Sequence, residues 1–135
     1  MSDFNTAIIE EFRANEGQVG GGFAGAPMLL LHSTGAKSGQ ERVHPLVFQR
    51  DGDAYVVFGS KGGAPTHPVW YVNLVANPKA SIEVGTSTIP VVARVAGGDE
   101  RERIWTEQKR LMPGFAEYEK TAGDREIPVI VLDPQ

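Results

Sequence analysis

At 135 residues, with 41% hydrophobic residues and a formal net charge of -4, the chain fits one globular domain spanning residues 1–135 with a core of its own. It has no cysteine, which excludes disulfides, zinc ribbons, thiol nucleophiles and cysteine-ligated iron–sulfur clusters, and His32, His44 and His67 stand too far apart for a paired ligand spacing, so no metal site is expected. The acidic balance argues against nucleic acid as a partner, yet residues 27–79 carry five cations against three acids, and a local basic site on an acidic chain favours a discrete anionic ligand over a polyanion.

Phe4, Ile8 and Phe12 recur at helical spacing with the charged residues elsewhere, so residues 3–14 are predicted to form an amphipathic helix, with Ser2 as its N-cap. The N-terminal unit 1–16 packs on the core in this reading; contact with a membrane surface is the lesser alternative, because the polar face is acidic. These residues lack the long apolar stretch of a secretory signal, and no run approaches the ~20 residues that span a bilayer. A cytoplasmic protein is expected, with peripheral attachment to the inner membrane face as the alternative.

Residues 17–26 are glycine-rich and predicted to be loop. Gly20, Gly22 and Gly25 match a dinucleotide fingerprint, but that motif follows a strand and opens a helix, whereas here it follows a helix and leads through Pro27 into the strand-like Met28–Leu31. The lysine loop is no P-loop either, since Gly39 is followed by Gln40 and Glu41 rather than by Lys-Ser/Thr.

The stretch from Ser33 to Arg42 is a polar, glycine-bracketed turn between two strands. Its hydroxyls, backbone N–H groups and two cations, Lys37 and Arg42, suit an anionic ligand. The same residue types also make ordinary solvated loops, so both readings stand at this point. Val43–Arg50 and Ala54–Phe58 flank Asp51-Gly52, a dipeptide suited to a tight hairpin. Pairing about that hairpin would bring a second polar turn, Gly59-Ser60-Lys61-Gly62-Gly63, to the same end of the sheet as the first.

Pro68 to Asn77 reads as one short helix closed by Asn77-Pro78, with Trp70, Leu74 and one valine facing inward. Lys79–Val84 and Thr88–Val95 form a second hairpin about Gly85-Thr86. Asp99–Leu111 is predicted helical, with Ile104, Trp105, Gln108 and Leu111 on one face and a break at Pro113-Gly114. Phe115 and Tyr118 follow on a further helical turn, and Ile127–Leu132 closes the chain as a strand. About six mostly hairpin-connected strands with a few peripheral helices predict a mainly β (α+β) fold: a small antiparallel barrel, since closure removes exposed edges.

Three stretches, Thr34–Arg42 with Pro45-Leu46, Ser60–Gly63, and Pro68–Leu74 with Asn77-Pro78, followed by the closing Arg125-Glu126-Ile127-Pro128, occur in an order and spacing that resembles the deazaflavin (coenzyme F420)-dependent nitroreductase and quinone reductase family. The resemblance implies a split β-barrel like that of FMN-binding oxidases. It also implies hydride transfer from reduced F420 to a quinone, nitroaromatic or activated alkene. By motif position, Ala36, Lys37, Ser38 and Arg42 would hold the coenzyme's phosphate and anionic tail. Val43, His44, Pro45, Leu46 and Val47, with Phe58, Gly59, Ser60 and Lys61, would line the ring system. Val69, Trp70, Tyr71, Val72, Asn73 and Phe115 would close the remaining sides, although Trp70 also reads as a plain core aromatic.

Where family members cluster tyrosines near the C-terminus, this chain has Met112 and Phe115 and keeps Tyr118. The catalytic candidates are therefore Tyr118, as hydrogen-bond and proton donor to the acceptor, and Ser60 as its rival. The alternatives are an FMN-dependent split-barrel enzyme and a non-catalytic flavin or deazaflavin carrier. A small-molecule acceptor is the expected partner, and the chain is expected as a monomer or homodimer.

Overall fold

The computed structural model describes residues 3–18, 27–60, 67–123 and 125–135, and the side chains of all of these except 3–5. In chain order the elements are α1 (Asp3–Ala14), β1 (Met28–Thr34), β2 (Glu41–Val47), β3 (Gln49–Asp51), β4 (Ala54–Phe58), α2 (Val69–Ala76), β5 (Lys79–Val84), β6 (Ser87–Val95), α3 (Gly98–Leu111), α4 (Gly114–Thr121) and β7 (Val129–Pro134). Ser2, most of the glycine-rich loop and Lys61 to Gly63 lie outside the described residues.

The seven strands form one antiparallel sheet in the order β2-β1-β5-β6-β7-β4-β3. Its two outermost strands, β2 and β3, are separated in the chain by Phe48 alone. Residues two apart in the chain lie within about 7 Å, so the sheet must curl until its edges meet at Phe48. That curl makes a split barrel, and it corrects the expected strand count. Val43–Arg50 is not one strand but two half-strands: Val47 pairs with Met28 on one edge and Gln49 with Val56 on the other. Hydrophobic alternation continues through Phe48, so the pattern alone carries no sign that the pairing partner changes there.

Antiparallel register sorts the side chains, because residues directly opposite share a face. Leu29, Leu31 and Ser33 lie opposite Leu46, His44 and Arg42. Leu29 and Leu31 point into the barrel, where they join Tyr55, Val57, Ile82, Val91, Ile130 and Leu132. Phe48 meets Tyr55 edge-on at 5.4 Å and fills the seam. Met28, Leu30 and His32 lie opposite Val47, Pro45 and Val43 on the outer face, which α1 covers with Ile8, Ile9 and Phe12. The apolar face of α1 is thus consumed by the protein's own core, and Arg13 adds a fork to Glu83 of β5 at 2.7 and 3.2 Å. No described helix is long and apolar enough to cross a membrane.

The outer face of β4 and β7 carries a separate cluster, in which Val56, Phe58, Val129 and Val131 pack beneath Ile104 and Trp105 of α3 and Phe115 of α4. Leu111, expected on the inner face of α3, is half exposed at the end of that helix. Beyond it α4 supplies the turn of helix predicted around Phe115 and Tyr118.

Helix α2 seats on the barrel through Trp70, Asn73 and Leu74, the i, i+3, i+4 face. Val69, Val72 and Val75 are exposed, so no valine of this helix faces inward as expected. Asn73 takes that place.

Candidate active site

The turn between β1 and β2 is built around Gly35. Its N–H donates to the Gln40 carbonyl at 2.8 Å, and its own carbonyl accepts from the Gly39 N–H at 3.0 Å. A Cβ on Gly35 would fall 2.5 Å from Ser38 Oγ, so glycine is what lets the Ser38 hydroxyl fold back over the turn and accept from the Gln40 N–H at 3.2 Å. Gly39 adopts φ +71°, a region open to glycine at little cost.

From below, Asn73 of α2 locks this turn in place. Its Oδ1 accepts from the Ala36 N–H at 3.0 Å and its Nδ2 reaches Ser33 Oγ at 3.5 Å. Asn77 at the end of the same helix donates to the Thr34 carbonyl at 3.4 Å. The turn is thus held at its entry, base and apex by one helix.

Between the turn and the exposed edge of α2 lies a cleft of about 400 Å³, lined by Gly35, Ala36, Lys37, Ser38, Arg42, His67, Val69, Val72 and Asn73. Lys37 and Arg42 have no ion-pair partner among the described residues. Arg13, Arg94, Arg101, Arg103, Lys109, Arg110 and Lys120 each pair with a carboxylate; Arg50 and Lys79 have no such partner among the described residues, but they lie outside this cleft. Two uncompensated cations, a hydroxyl and a rigid turn beside a partly apolar wall are an anion-binding arrangement. Next to Arg42 on the strand, burial and then the Arg42 charge hold the His44 imidazole below its ordinary pKa, and its buried Nδ1 has no partner among the described residues.

Arg125 ties Gly59 and Ser60, which open the second polar turn, to His67 of the cleft wall. Its Nη1 donates to the Gly59 carbonyl and its Nη2 to the Ser60 carbonyl, both at 2.8 Å, and Nη1 lies 3.1 Å from His67 Nδ1. Gly59 is clamped between two prolines: a Cβ there would lie 2.6 Å from Pro128 Cγ and 3.6 Å from Pro68 Cδ. Arg125 and Pro128 of the closing motif therefore support the start of the Ser60 turn.

A family model for F420H(2)-dependent quinone reductases matches residues 6–134. The chain belongs to that family. It is 40% identical over 125 residues to the F420H(2)-dependent quinone reductase Rv1261c of Mycobacterium tuberculosis, covering 90% of this chain and 83% of that one. A solved F420-H2-dependent reductase, FDR-A, superposes with a TM-score of 0.72 at 41% identity over 79% of this chain and 94% of that one. A solved domain-swapped dimer does so at 0.74 and 38% identity, over 95% and 93%. Membership makes this chain a reductase that draws its electrons from reduced coenzyme F420. The unpaired cations, the built turn and the orphaned His44 nitrogen fit a coenzyme with an anionic tail.

The expected site residues divide by location. Ala36, Lys37, Ser38, Arg42, Val69, Val72 and Asn73 line one cleft. Trp70 does not: its indole is 4% exposed within the barrel core, so the plain core reading of that ring is the observed one. The residues expected to line the ring as a group, 43–47, are split by strand alternation. His44 and Leu46 share the face of Arg42, while Val43 and Val47 pack under α1. Tyr71 stands beside His67 with ring centroids 4.7 Å apart.

Phe58 and Phe115 are buried together, 5.8 Å between centroids, and Tyr118 meets Phe115 edge-on at 5.1 Å. This aromatic series brings Tyr118 near the end of β4 that leads into Ser60, although neither hydroxyl-bearing residue lines the cleft itself. His67 and Arg125 were missed as site residues. The signals available were the histidine directly before the helix-opening Pro68 and the arginine that opens the closing motif.

Proposed function

We propose that the chain transfers a hydride from reduced coenzyme F420 to a small organic acceptor, a quinone, nitroaromatic or activated alkene. The coenzyme's phosphate and anionic tail would sit in the cleft of Lys37, Ser38 and Arg42. The observation that carries this reading is the pair of uncompensated cations on a turn fixed by Asn73, in a chain of this family. When bound, the deazaflavin supplies the hydride, while the protein supplies position, electrostatics and exclusion of water.

In this reading Lys37 and Arg42 give charge, the Ser38 hydroxyl gives direction, and Asn73 keeps the turn from relaxing. At the end of β4, Ser60 and Tyr118 are the acceptor-side donors. Negative charge grows on an acceptor oxygen as the hydride arrives, and a phenol or hydroxyl there stabilises it and can pass on the accompanying proton. The Tyr118 hydroxyl has no hydrogen-bond partner among the described residues, which leaves it available for that task.

The test is titration of the purified protein with oxidised F420, followed by quenching of its fluorescence, with FMN as competitor. Tighter F420 binding and F420H2-dependent reduction of a soluble quinone are expected. Equal or tighter FMN binding overturns the reading, and tight F420 binding without turnover of any acceptor class would leave a carrier. The domain-swapped relative makes a homodimer the assembly to look for by sedimentation.

A further inference from the structure

His67 is the polar residue of the cleft wall to which the foregoing reading gives no role. Its Nδ1 lies 3.1 Å from Nη1 of Arg125. A guanidinium can only donate, so Nδ1 must accept, and an imidazole whose Nδ1 accepts is neutral with its proton on Nε2. Arg125 is not free to turn away, because the same guanidinium is fixed to the carbonyls of Gly59 and Ser60. The ring is steadied on its face by Tyr71, and Nε2 has no partner among the described residues.

Among the described residues, the charged groups of its surroundings are cationic: Arg125 beside the ring, and Lys37 and Arg42 in the lining of the same cleft. Protonation is opposed by burial and then by the Arg125 charge, which together hold the His67 pKa below its ordinary value.

We infer that His67 is a coenzyme-binding residue: a neutral Nε2–H donor to an anionic oxygen held in the cleft, with Arg125 as the positioning residue that fixes its tautomer. This rests on the reading that the cleft receives the anionic end of F420. The arrangement adds a third directional donor beside Lys37 and Arg42 without adding a third charge. Its consequence is an affinity that owes nothing to protonation of this ring at neutral pH.

The test is ¹⁵N NMR of the histidine rings in the coenzyme-free protein, repeated with inorganic phosphate and with F420, together with Kd measurements from pH 5.5 to 8. Expected are an Nε2–H tautomer for His67 at pH 7.5, a shift of its Nε2 resonance by either ligand, and an affinity profile that follows the ligand's own titration alone. His67→Gln, which keeps an N–H near the Nε2 position, should bind within about twofold of the wild type. His67→Asn, too short to reach, should lose roughly 10-fold, the scale of one hydrogen bond to a charged group. In Arg125→Met the tautomer should become mixed, and phosphate affinity should rise relative to the wild type as the pH falls below 7.

An Nδ1–H tautomer in the wild type overturns the inference, as does a ring resonance that ignores both ligands or a His67→Asn variant that binds both normally. These outcomes do not depend on Arg125→Met folding. If phosphate shifts the Nε2 resonance while F420 does not bind, His67 remains a neutral anion donor of the cleft, and it is the coenzyme assignment that fails.

Discussion

Replacement of Asn73 by alanine separates the scaffold of the cleft from its ligand contacts. Asn73 is 3% exposed and makes two side-chain hydrogen bonds of unequal quality. The bond from Ala36 N–H, at 3.0 Å, is of ordinary length and contributes about 1 kcal/mol. The bond to Ser33 Oγ, at 3.5 Å, is at the geometric limit and contributes little. The larger cost lies in what is stranded, since the Ala36 N–H and the buried Ser33 hydroxyl both lose their partner. The total should be about 1–2 kcal/mol, or a fall in Tm of about 3–8 °C for a chain of this size.

The same change frees the turn at its base while Lys37 and Arg42 keep their charge. F420 affinity should therefore fall roughly 5- to 20-fold, through lost preorganisation rather than lost attraction, and the slope of affinity against salt should stay as in the wild type. Calorimetric titration at several salt concentrations, beside thermal denaturation, reads all three quantities. A Tm fall with unchanged affinity would refute the claim that α2 presets the turn. An unchanged Tm with lost affinity would make Asn73 a ligand contact and not a scaffold.

Lys37→Ala and Arg42→Ala should each raise the Kd for F420 about 10-fold and flatten its salt dependence. Stability should barely change, because neither cation has an ion-pair partner to strand among the described residues; wild-type binding at low salt in both variants would mean that the turn is an ordinary loop. Tyr118→Phe should lower turnover about 10-fold at unchanged coenzyme affinity, and stopped-flow rates beside Ser60→Ala assign the donor: a loss in Ser60→Ala alone moves the role there. Gly59→Ala must push Pro128 away from a 2.6 Å approach and should cost about 1–3 kcal/mol in urea denaturation. Hydrogen bonding to Arg13, and then to His32, holds Glu83 below the ordinary carboxylate range. A carboxylate lowered in this way adds stability that is present above its unfolded pKa and lost as the pH falls through the folded one. Glu83→Gln should therefore be less stable than wild type at neutral pH, with the gap closing in acid; a gap independent of pH would refute the pairing.

Local chemistry was legible in the residues themselves. Apolar runs marked β1 and β7, alternation and turn dipeptides marked β4 to β6, the i, i+4 pattern marked α1, and Pro68 with Asn77-Pro78 bracketed α2. The cluster of glycines, hydroxyls and cations between Ser33 and Arg42 marked a polar turn with the composition of an anion site, a composition that ordinary solvated loops share. These features depend on the character of neighbours in the chain, which a sequence displays directly.

What the tertiary structure decided was pairing and partnership across long separations. A run that alternates from Val43 to Arg50 gives no hint that its halves bond to opposite edges of the sheet, because the side-chain pattern continues while the backbone partner changes. That bend at Phe48 closes the barrel. It also depends on register that His44 and Leu46 share the face of Arg42 while Val43 and Val47 go beneath α1. Cations look alike in a sequence whether or not a carboxylate answers them; only the folded arrangement leaves Lys37 and Arg42 unanswered. Likewise Arg125, 58 residues from His67, fixes the proton of that imidazole through a contact that no local pattern encodes.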